Sequence, residues 1–251
     1  MNKTKQWEDP VSIILPAYNE EKCILSSLKA LTAFCKDLFD DFEIICVDDG
    51  STDRTGDLAL AVSDDLYVKT LRLPKNYGKG YAVRQGMRHA RGRYLFFTDA
   101  DLPYSLDALA ISLKHFNTQK CDVVAGARDL PDSSDWLKSG RMRWGISQVF
   151  SLLTGSLLGV DVRDSQCGFK GFTDTAAQSI FSRIQISGYA FDVEIFALAR
   201  ALNLKVCKIP VRRVRHGDSK IRLTRDPFCM FLDILKIAKK IKDSPQRRGG
   251  S

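Results

Sequence analysis

The chain has 251 residues, of which 44% are hydrophobic and 27% charged, and this composition argues against a disordered or fibrous protein. Its formal net charge of +8 favours an anionic partner, a condition that nucleic acid, acidic lipid and sugar nucleotides all meet. Apolar runs fall short of the about 18 residues that a spanning helix needs, and Met1 to Pro10 is too polar for a signal sequence. We therefore expect a cytoplasmic protein with one large domain.

Short apolar runs alternate with helix-like stretches from Val11 to about Arg128, which predicts an α/β fold with a mostly parallel sheet and helices on both faces. The strands of this half are predicted at Val11–Leu15, Phe42–Val47, Tyr67–Leu73, Arg93–Thr98 and Asp122–Ala125. Polar clusters directly follow the first, second and fourth of these strands. Because ligands of open parallel sheets bind beyond the carboxyl ends of the strands, the clusters should line one crevice.

The regular alternation stops after Arg128, where a polar linker from Asp129 to Ser139 leads into the mostly apolar stretch Trp144–Val160. The glycines in that stretch leave two interpretations open, a buried helix or an interfacial helix. Beyond it, the pattern predicts a strand around Cys167–Phe172, a helix over Ala190–Leu202 and a strand over Lys205–Val214.

A last helix is predicted from about Pro227 to Lys242, with one apolar and one basic face. Its apolar face could pack on the core, or the helix could lie on a membrane, where each Lys or Arg near anionic lipid contributes about 1 kcal/mol. The predicted organisation is a tail over 1–9, a domain over 10–226 with halves 10–128 and 129–226, an amphipathic helix over 227–243 and a flexible tail over 244–251.

The chain contains an odd number of cysteines without a C-x-x-C pair, which argues against both a disulfide framework and a zinc site. They are Cys23, Cys35, Cys46, Cys121, Cys167, Cys207 and Cys229. We expect all seven to be reduced and mostly buried thiols.

Asp99 and Asp101 are the most informative pair, because they follow an apolar strand and stand one residue apart. In a strand that continued straight through, they would share one face. Carboxylate oxygens suit Mg²⁺ or Mn²⁺, and such an ion can neutralise the charge of a departing diphosphate. The alternative is an Asp that caps the next helix, near Ser105.

Three further clusters lie after predicted strands or in loops. Asp48 and Asp49 precede Gly50, a turn signal, and a carboxylate there can also accept hydrogen bonds from a base or a ribose. Pro16–Glu20 could be only a strand exit with Asn19 as a helix cap. In Asn76–Gly80 the glycines permit close backbone approach and Lys79 offers charge to a diphosphate, but the spacing is not that of a P-loop.

Taken in order, these motifs resemble the donor half of the inverting family 2 glycosyltransferases, which have the GT-A fold, a Rossmann-like α/β sheet. The motifs that carry this are Leu15–Glu20, Val47–Asp53, Asn76–Gly80 and Asp99–Asp101. The second half resembles the dolichyl-phosphate glucosyltransferases and their polyprenyl-phosphate mannosyltransferase relatives. That resemblance rests on Asp164–Lys170, Ala190–Glu194 and His216–Lys220, so it extends over nearly the whole chain.

The resemblance implies transfer of a hexose, from UDP-glucose or secondly from GDP-mannose, onto a polyprenyl or dolichyl phosphate at the cytoplasmic face of a membrane. It places Mg²⁺ or Mn²⁺ at Asp99 and Asp101. The residues that it implies for the nucleotide sugar are Pro16, Ala17, Tyr18, Glu20, Asp48, Asp49, Lys79, Gly80, Asp99 and Ala100. One departure is Pro103, which stands where the mannosyltransferases carry a glutamine that is a presumed metal ligand.

An acceptor phosphate is mostly a dianion at pH 7 and therefore needs no general base, but it does need cations that gather it. The candidates are Arg128, Arg141, Arg143, Arg213, Arg215 and Lys220, with Arg128 and Arg141 favoured. Gln166 belongs to a motif of the resemblance, and Asp192 and Glu194 could be either helix caps or active-site groups.

Two other classes stay open. An enzyme of the same fold with a soluble acceptor would usually need a carboxylate base for a sugar hydroxyl. A non-catalytic protein could use its basic surface on a membrane or a nucleic acid, but nothing in the sequence resembles a nucleic-acid motif, and we expect no nucleic-acid partner.

Overall fold

A seven-stranded sheet forms the centre of the protein, which a computed structural model describes at residues 7–62, 66–128, 130, 167–188, 190–214 and 233–240. The strands are β1 (Val11–Ala17), β2 (Phe42–Asp48), β3 (Val68–Arg72), β4 (Tyr94–Phe97), β5 (Val123–Ala127), β6 (Lys170–Thr173) and β7 (Val206–Pro210). Their order in the sheet is β3-β2-β1-β4-β6-β5-β7. All pairings are parallel except those of β6, which runs antiparallel to β4 and β5.

Helices cover both faces of the sheet, as predicted. They are α1 (Ile24–Leu38), α2 (Thr55–Leu60), α3 (Lys79–His89), α4 (Asp107–Gln119), α5 (Asp174–Phe181) and α6 (Phe191–Ala201). One core cluster contains residues of α3, α5 and α6, and the other contains residues of α1, α2 and α4. Because helices cover both faces of the sheet, β2 is buried at every position, which explains why the central strands are mostly apolar in sequence.

The direction of the chain changes between β1 and β4. From β1 the chain proceeds through β2 to β3 on one side, whereas β4 pairs with β1 and leads to the strands on the other side. Ligand crevices of open α/β sheets form at such a switch point, at the carboxyl ends of the strands. The loops after β1 and β4 meet here, and because β6 is antiparallel, its amino-terminal end lies at the same edge.

A C-terminal helical segment over residues 233–240 packs on the core. Ile234, Ile237 and Ala238 are buried in the cluster of α3, α5 and α6, while Lys236 and Lys239 are exposed. The described part of the predicted helix thus packs apolar side chains on the core, and its contact with a membrane stays a prediction. The rest of that predicted helix, the linker after Asp129 and the stretch Trp144–Val160 lie outside the described residues.

Within the described ranges, none of the helices has the length and apolarity needed to cross a membrane.

The expectation of seven reduced cysteines is wrong for one pair, since Cys121 and Cys207 form a disulfide. Strand β5 pairs with β7, with Val124 opposite Cys207, so residues 86 positions apart along the chain become neighbours. Spacing along the sequence does not reveal such a pairing. Four of the other cysteines are free thiols, namely Cys23, Cys35, Cys46 and Cys167, and all but Cys23 are buried.

Candidate active site

Asp99 and Asp101 lie in a tight turn directly after β4. The strand ends at Phe97, and the Leu102 N–H donates to the Asp99 carbonyl oxygen at 3.0 Å. The strand does not continue straight through the two aspartates, because the chain turns back with a positive φ of 46° at Leu102. Neither aspartate caps α4, whose N-cap position is Leu106 and which has no side-chain cap.

Negative charge is concentrated in this turn. The Lys79 Nζ lies 2.6 Å from Asp99 Oδ1, and both side chains are partly exposed. Burial raises the pKa of Asp101 above its ordinary value, and the charges of Asp99 and then Glu20 raise it further. The loop after β1 and the turn after β4 thus bring three carboxylates into mutual repulsion, and Lys79 offsets part of it.

This arrangement fits a divalent cation. Asp99 and Asp101 offer hard oxygen ligands, and their repulsion is the kind that a bound cation relieves. In the part of the chain that the structure describes, no three His, Cys, Asp or Glu side chains are placed to hold a metal together. Two carboxylates suffice when substrate phosphates supply further ligands, which is the usual arrangement for Mg²⁺.

The predicted segment Pro16–Glu20 comprises the end of β1 and the residues that follow it, and it is hydrogen-bonded to the segment after β2. The Asn19 N–H donates to Ser51 Oγ at 3.0 Å, and the Glu20 N–H donates to Thr55 Oγ1 at 2.7 Å. Asn19 adopts a φ of 53°, and its side-chain oxygen accepts from the Thr52 N–H rather than capping α1. Tyr18, directly after β1, is exposed, while Pro16 and Ala17 at the end of the strand are half-buried and buried.

Asp48 and Asp49 are both buried and bind the protein's own groups. Asp48 Oδ1 accepts from the Ser51 N–H at 2.9 Å, and its Oδ2 lies 3.3 Å from Arg72 Nε. Asp49 accepts from the N–H groups of Tyr77 and Gly78, both at 2.8 Å. Burial raises the pKa of Asp49, although these two amides lower it. Both carboxylates therefore hold the loops that surround the crevice, and their predicted contact with a nucleotide stays a prediction.

A cavity of about 380 Å³ opens beside these loops, at the carboxyl ends of β2 and β3. Its volume falls within the range of small-molecule pockets. It is lined by Gly50, Ser51, Arg72, Leu73 and Pro74.

The glycines around Lys79 approach protein backbone. Gly78 has a φ of 102° and lies against the Ser187 carbonyl, and the Gly80 N–H donates to that carbonyl oxygen at 2.8 Å. The Gly80 amide is thus used within the fold, which does not favour its predicted contact with a diphosphate. Lys79, at the first position of α3, contacts Asp99, and its predicted contact with a diphosphate stays a prediction.

Asp192 and Glu194 lie in the first turn of α6 and are buried. Asp192 Oδ1 lies 2.5 Å from Lys170 Nζ. Glu194 accepts from the N–H groups of Gln185 and Ile186 and lies 2.7 Å from Lys240 Nζ. Because both are committed to these partners, neither is placed to take a proton from a substrate hydroxyl.

Arg128 directly follows β5 and is half-buried. Its charge lowers the pKa of Tyr104, but burial, the larger effect, raises that pKa well above its ordinary value, and the charge of Asp99 adds to the rise. The charges of Arg128 and Asp99 thus both shift the pKa of the Tyr104 hydroxyl, in opposite directions. The other predicted groups Arg141, Arg143, Gln166, Arg215 and Lys220 lie outside the described residues, whereas Arg213 is described and forms a β-bridge with Tyr104.

Sequence reasoning missed several groups at this edge of the sheet. The Cys23 thiol lies 3.3 Å from Glu20 Oε2, and Tyr104 and Lys170 are buried near the turn after β4. Only Lys170 carried a signal, because it ends the motif Asp164–Lys170 and a buried lysine needs a partner.

Comparison with known proteins shows that the chain is similar to enzymes. The model of glycosyl transferase family 2 matches residues 12–181. The dolichyl-phosphate beta-glucosyltransferases of Dictyostelium discoideum and Drosophila melanogaster are each 34% identical to the chain and align with 92% of it, and with 73% and 77% of their own lengths.

Among solved structures, glucosyl-3-phosphoglycerate synthase from Mycobacterium tuberculosis in complex with UDP has a TM-score of 0.69 at 19% identity, covering 94% of this chain and 81% of that one. The same enzyme with Mn²⁺, UDP-glucose and phosphoglyceric acid has a TM-score of 0.67 at 17% identity, covering 92% and 80%. These similarities confirm the expected GT-A-like α/β fold.

Proposed function

Since the chain belongs to family 2 of the glycosyltransferases, we propose that it transfers glucose from UDP-glucose, with inversion, onto a polyprenyl phosphate of the dolichyl type. The relatives named as dolichyl-phosphate beta-glucosyltransferases support both the sugar and the acceptor. The observation that carries the proposal is the charged turn after β4, where Asp99 and Asp101 meet Glu20 and Lys79 at the switch point of the sheet.

Asp99 and Asp101 would hold the divalent ion, either Mg²⁺ or Mn²⁺. When bound, this ion supplies positive charge to the diphosphate of the leaving nucleotide. A structural relative was crystallised with Mn²⁺ and UDP-glucose, which supports a metal of this kind.

Lys79 is proposed to donate to the diphosphate from the start of α3. Its Nζ stands beside Asp99, so it can exchange this carboxylate for a phosphate oxygen without moving its backbone. The nucleoside is proposed to lie across the exposed Tyr18 and the cavity beside Ser51. Asp48 and Asp49 shape this region by holding the loops that surround it.

The acceptor phosphate attacks the anomeric carbon directly. Because its second pKa is near 6, it is mostly a dianion at pH 7 and needs no general base. This agrees with the buried, paired state of Asp192 and Glu194. Arg128 is proposed to orient the phosphate, and in-line attack on an α-linked donor gives a β-linked product.

The protein is proposed to work at the cytoplasmic face of a membrane, because the apolar tail of its lipid acceptor is held in the bilayer. The exposed lysines of the C-terminal helical segment, Lys236 and Lys239, offer positive charge to anionic headgroups.

The test is a transfer assay with the purified protein, in which donors and acceptors are varied independently. UDP-glucose and GDP-mannose are each offered with dolichyl phosphate in detergent and with phosphoglyceric acid in water, and extracted products are identified by mass spectrometry. We expect a glucosyl lipid from UDP-glucose with Mn²⁺ or Mg²⁺. A mannosyl lipid would replace the proposed donor, and transfer only to phosphoglyceric acid would replace the proposed acceptor.

The variants Asp99→Asn and Asp101→Asn, measured in the same assay, test whether these residues hold the metal. Each should lower kcat/KM at least about a hundredfold, because metal stabilisation of the leaving group contributes several kcal/mol. Asp37→Asn is the matched control, since Asp37 is exposed on α1 and should have no effect. Folded Asp99→Asn protein with parental turnover, or turnover that chelators leave unchanged, would contradict the proposed role of the turn.

A further inference from the structure

Lys170 and Asp192 form an ion pair inside the protein. Their charged atoms lie 2.5 Å apart, and their side chains are 1% and 6% exposed. The lysine ammonium also lies 5.3 Å from the ring centre of Phe97 and 5.5 Å from that of Phe196. Lys170 is the first residue of β6 and pairs with Phe97 of β4, and Phe97 stands two residues before Asp99 in the chain. The ion pair therefore lies next to the charged turn after β4.

The same ammonium holds the backbone that precedes β6. Lys170 Nζ donates to the Cys167 carbonyl oxygen at 2.9 Å. The position of Cys167 and of the following Gly168 is therefore tied through Lys170 to Asp192 on α6.

Gly168 in turn lies against the Asp99 carboxylate. A Cβ built on Gly168 would overlap Asp99 Oδ2 and would lie 2.5 Å from Asp99 Cγ. The backbone at Gly168 thus forms a wall on one side of this carboxylate, while Lys79 contacts it through Oδ1.

We propose that Lys170 and Asp192 are positioning residues, which hold the Cys167–Gly168 backbone against Asp99 and so fix the orientation in which Asp99 receives a divalent cation. This rests on the proposed function only in assigning the cation to Asp99. Buried ion pairs contribute little net stability compared with apolar residues of similar volume. An apolar replacement should therefore preserve the fold and lose the hydrogen bond to Cys167.

The test replaces both partners, as Lys170→Met with Asp192→Leu, and measures Mn²⁺ binding by electron paramagnetic resonance together with thermal unfolding and activity. We expect a Tm within a few degrees of the parent, Mn²⁺ affinity lowered about tenfold and kcat lowered by a similar factor. Affinity for UDP without metal should not change, because the proposal ties the pair to the cation at Asp99 and not to the nucleoside.

Two further variants test whether the effect is specific to Asp99. Asp99→Asn combined with the double replacement should bind Mn²⁺ no more weakly than Asp99→Asn alone, since the pair acts through Asp99 and coupled residues are not additive. Glu43→Gln is the control, because it breaks the ion pair between the buried Glu43 and the half-exposed Lys69 at the amino-terminal edge of the sheet. It should lower the Tm and leave Mn²⁺ affinity at the parental value.

If the double replacement does not fold, Lys170→Gln with Asp192→Asn takes its place, because it removes both charges together and leaves neither of them buried without a countercharge. It should weaken Mn²⁺ binding about threefold. Parental Mn²⁺ affinity in whichever of these proteins folds would overturn the proposal. Failure of the proposed function gives a different result, namely a parent protein that binds Mn²⁺ but transfers glucose to no acceptor.

Discussion

Gly168 leaves no room for a side chain beside the Asp99 carboxylate, since a Cβ there would overlap Asp99 Oδ2. Gly168→Ala should therefore turn this carboxylate away from its present direction and lower kcat/KM about tenfold or more. Misplacement of a reacting group by about 1 Å can cost a hundredfold in rate. Steady-state kinetics at varied Mn²⁺ would measure the loss, with circular dichroism to confirm the fold.

Gly188→Ala is the matched control for this replacement. The nearest atom to a Cβ at Gly188 is Asp233 Oδ2 at 4.0 Å, an ordinary van der Waals distance. It should behave like the parent. Equal kinetics for the two alanine variants would show that Asp99 does not depend on the wall at Gly168.

The charged turn could be predicted from sequence, but the partners of the acidic residues around it could not. Asp99 and Asp101 follow an apolar run, and a parallel sheet brings such positions to one edge. Asp49 and Glu194 bind backbone amides, and Asp192 binds Lys170, which is 22 positions away along the chain. The sequence does not show which backbone amides a carboxylate will bind in the fold. These carboxylates were therefore interpreted as groups that a substrate could contact.

Two lysines one turn apart on the C-terminal helical segment have different surroundings. Lys240 pairs with the buried Glu194 and also donates to the Arg183 carbonyl oxygen, whereas Lys236 pairs with Asp233 at the surface. Lys240→Gln leaves a buried carboxylate without its countercharge and should lower the free energy of unfolding by about 1–3 kcal/mol. Urea denaturation followed by tryptophan fluorescence would measure this difference.

Lys236→Gln should change the free energy of unfolding by at most about 0.5 kcal/mol, because exposed ion pairs contribute little. Glu194 also holds Gln185 and Ile186, and the neighbouring Ser187 accepts from Gly80 at the start of α3. Hydrogen exchange should therefore quicken at residues 184–188 in Lys240→Gln and stay parental in Lys236→Gln. Equal stability of the two variants would show that the segment is not anchored through Glu194.

Strand positions were predictable within a few residues, whereas the direction of β6 was not. Central strands covered on both faces are apolar at most positions, which makes them visible as runs. An apolar run has no direction, and β6 is the strand that lies antiparallel to both of its neighbours. That reversal places Lys170 at the carboxyl ends of the other strands. The proposed series of contacts from Asp192 through Lys170 to Asp99 therefore depends on the direction of β6, which the sequence pattern does not show.

Stability of the whole molecule should depend on pH through Glu43, a buried carboxylate at the edge of the sheet opposite the crevice. Burial raises its pKa, but the Lys69 side chain, the Ser12 hydroxyl and the Arg91 amide outweigh this and leave the pKa below its ordinary value. A depressed pKa means that the folded state binds the proton less readily than the unfolded chain. The resulting stabilisation is present above the ordinary pKa of about 4.3 and is lost as pH falls through the lower folded value.

Glu43→Gln removes this titration and should therefore be less stable than the parent at pH 7, with a difference that shrinks as the pH falls from about 5 to 3. Free energies of unfolding from urea titrations at several pH values would measure it. Asp37→Asn, on the exposed face of α1, controls for the general loss of negative charge and should follow the parent at each pH. A difference between Glu43→Gln and the parent that stays constant down to pH 3 would mean that Glu43 stabilises the fold by its shape and hydrogen bonds, and not by its charge.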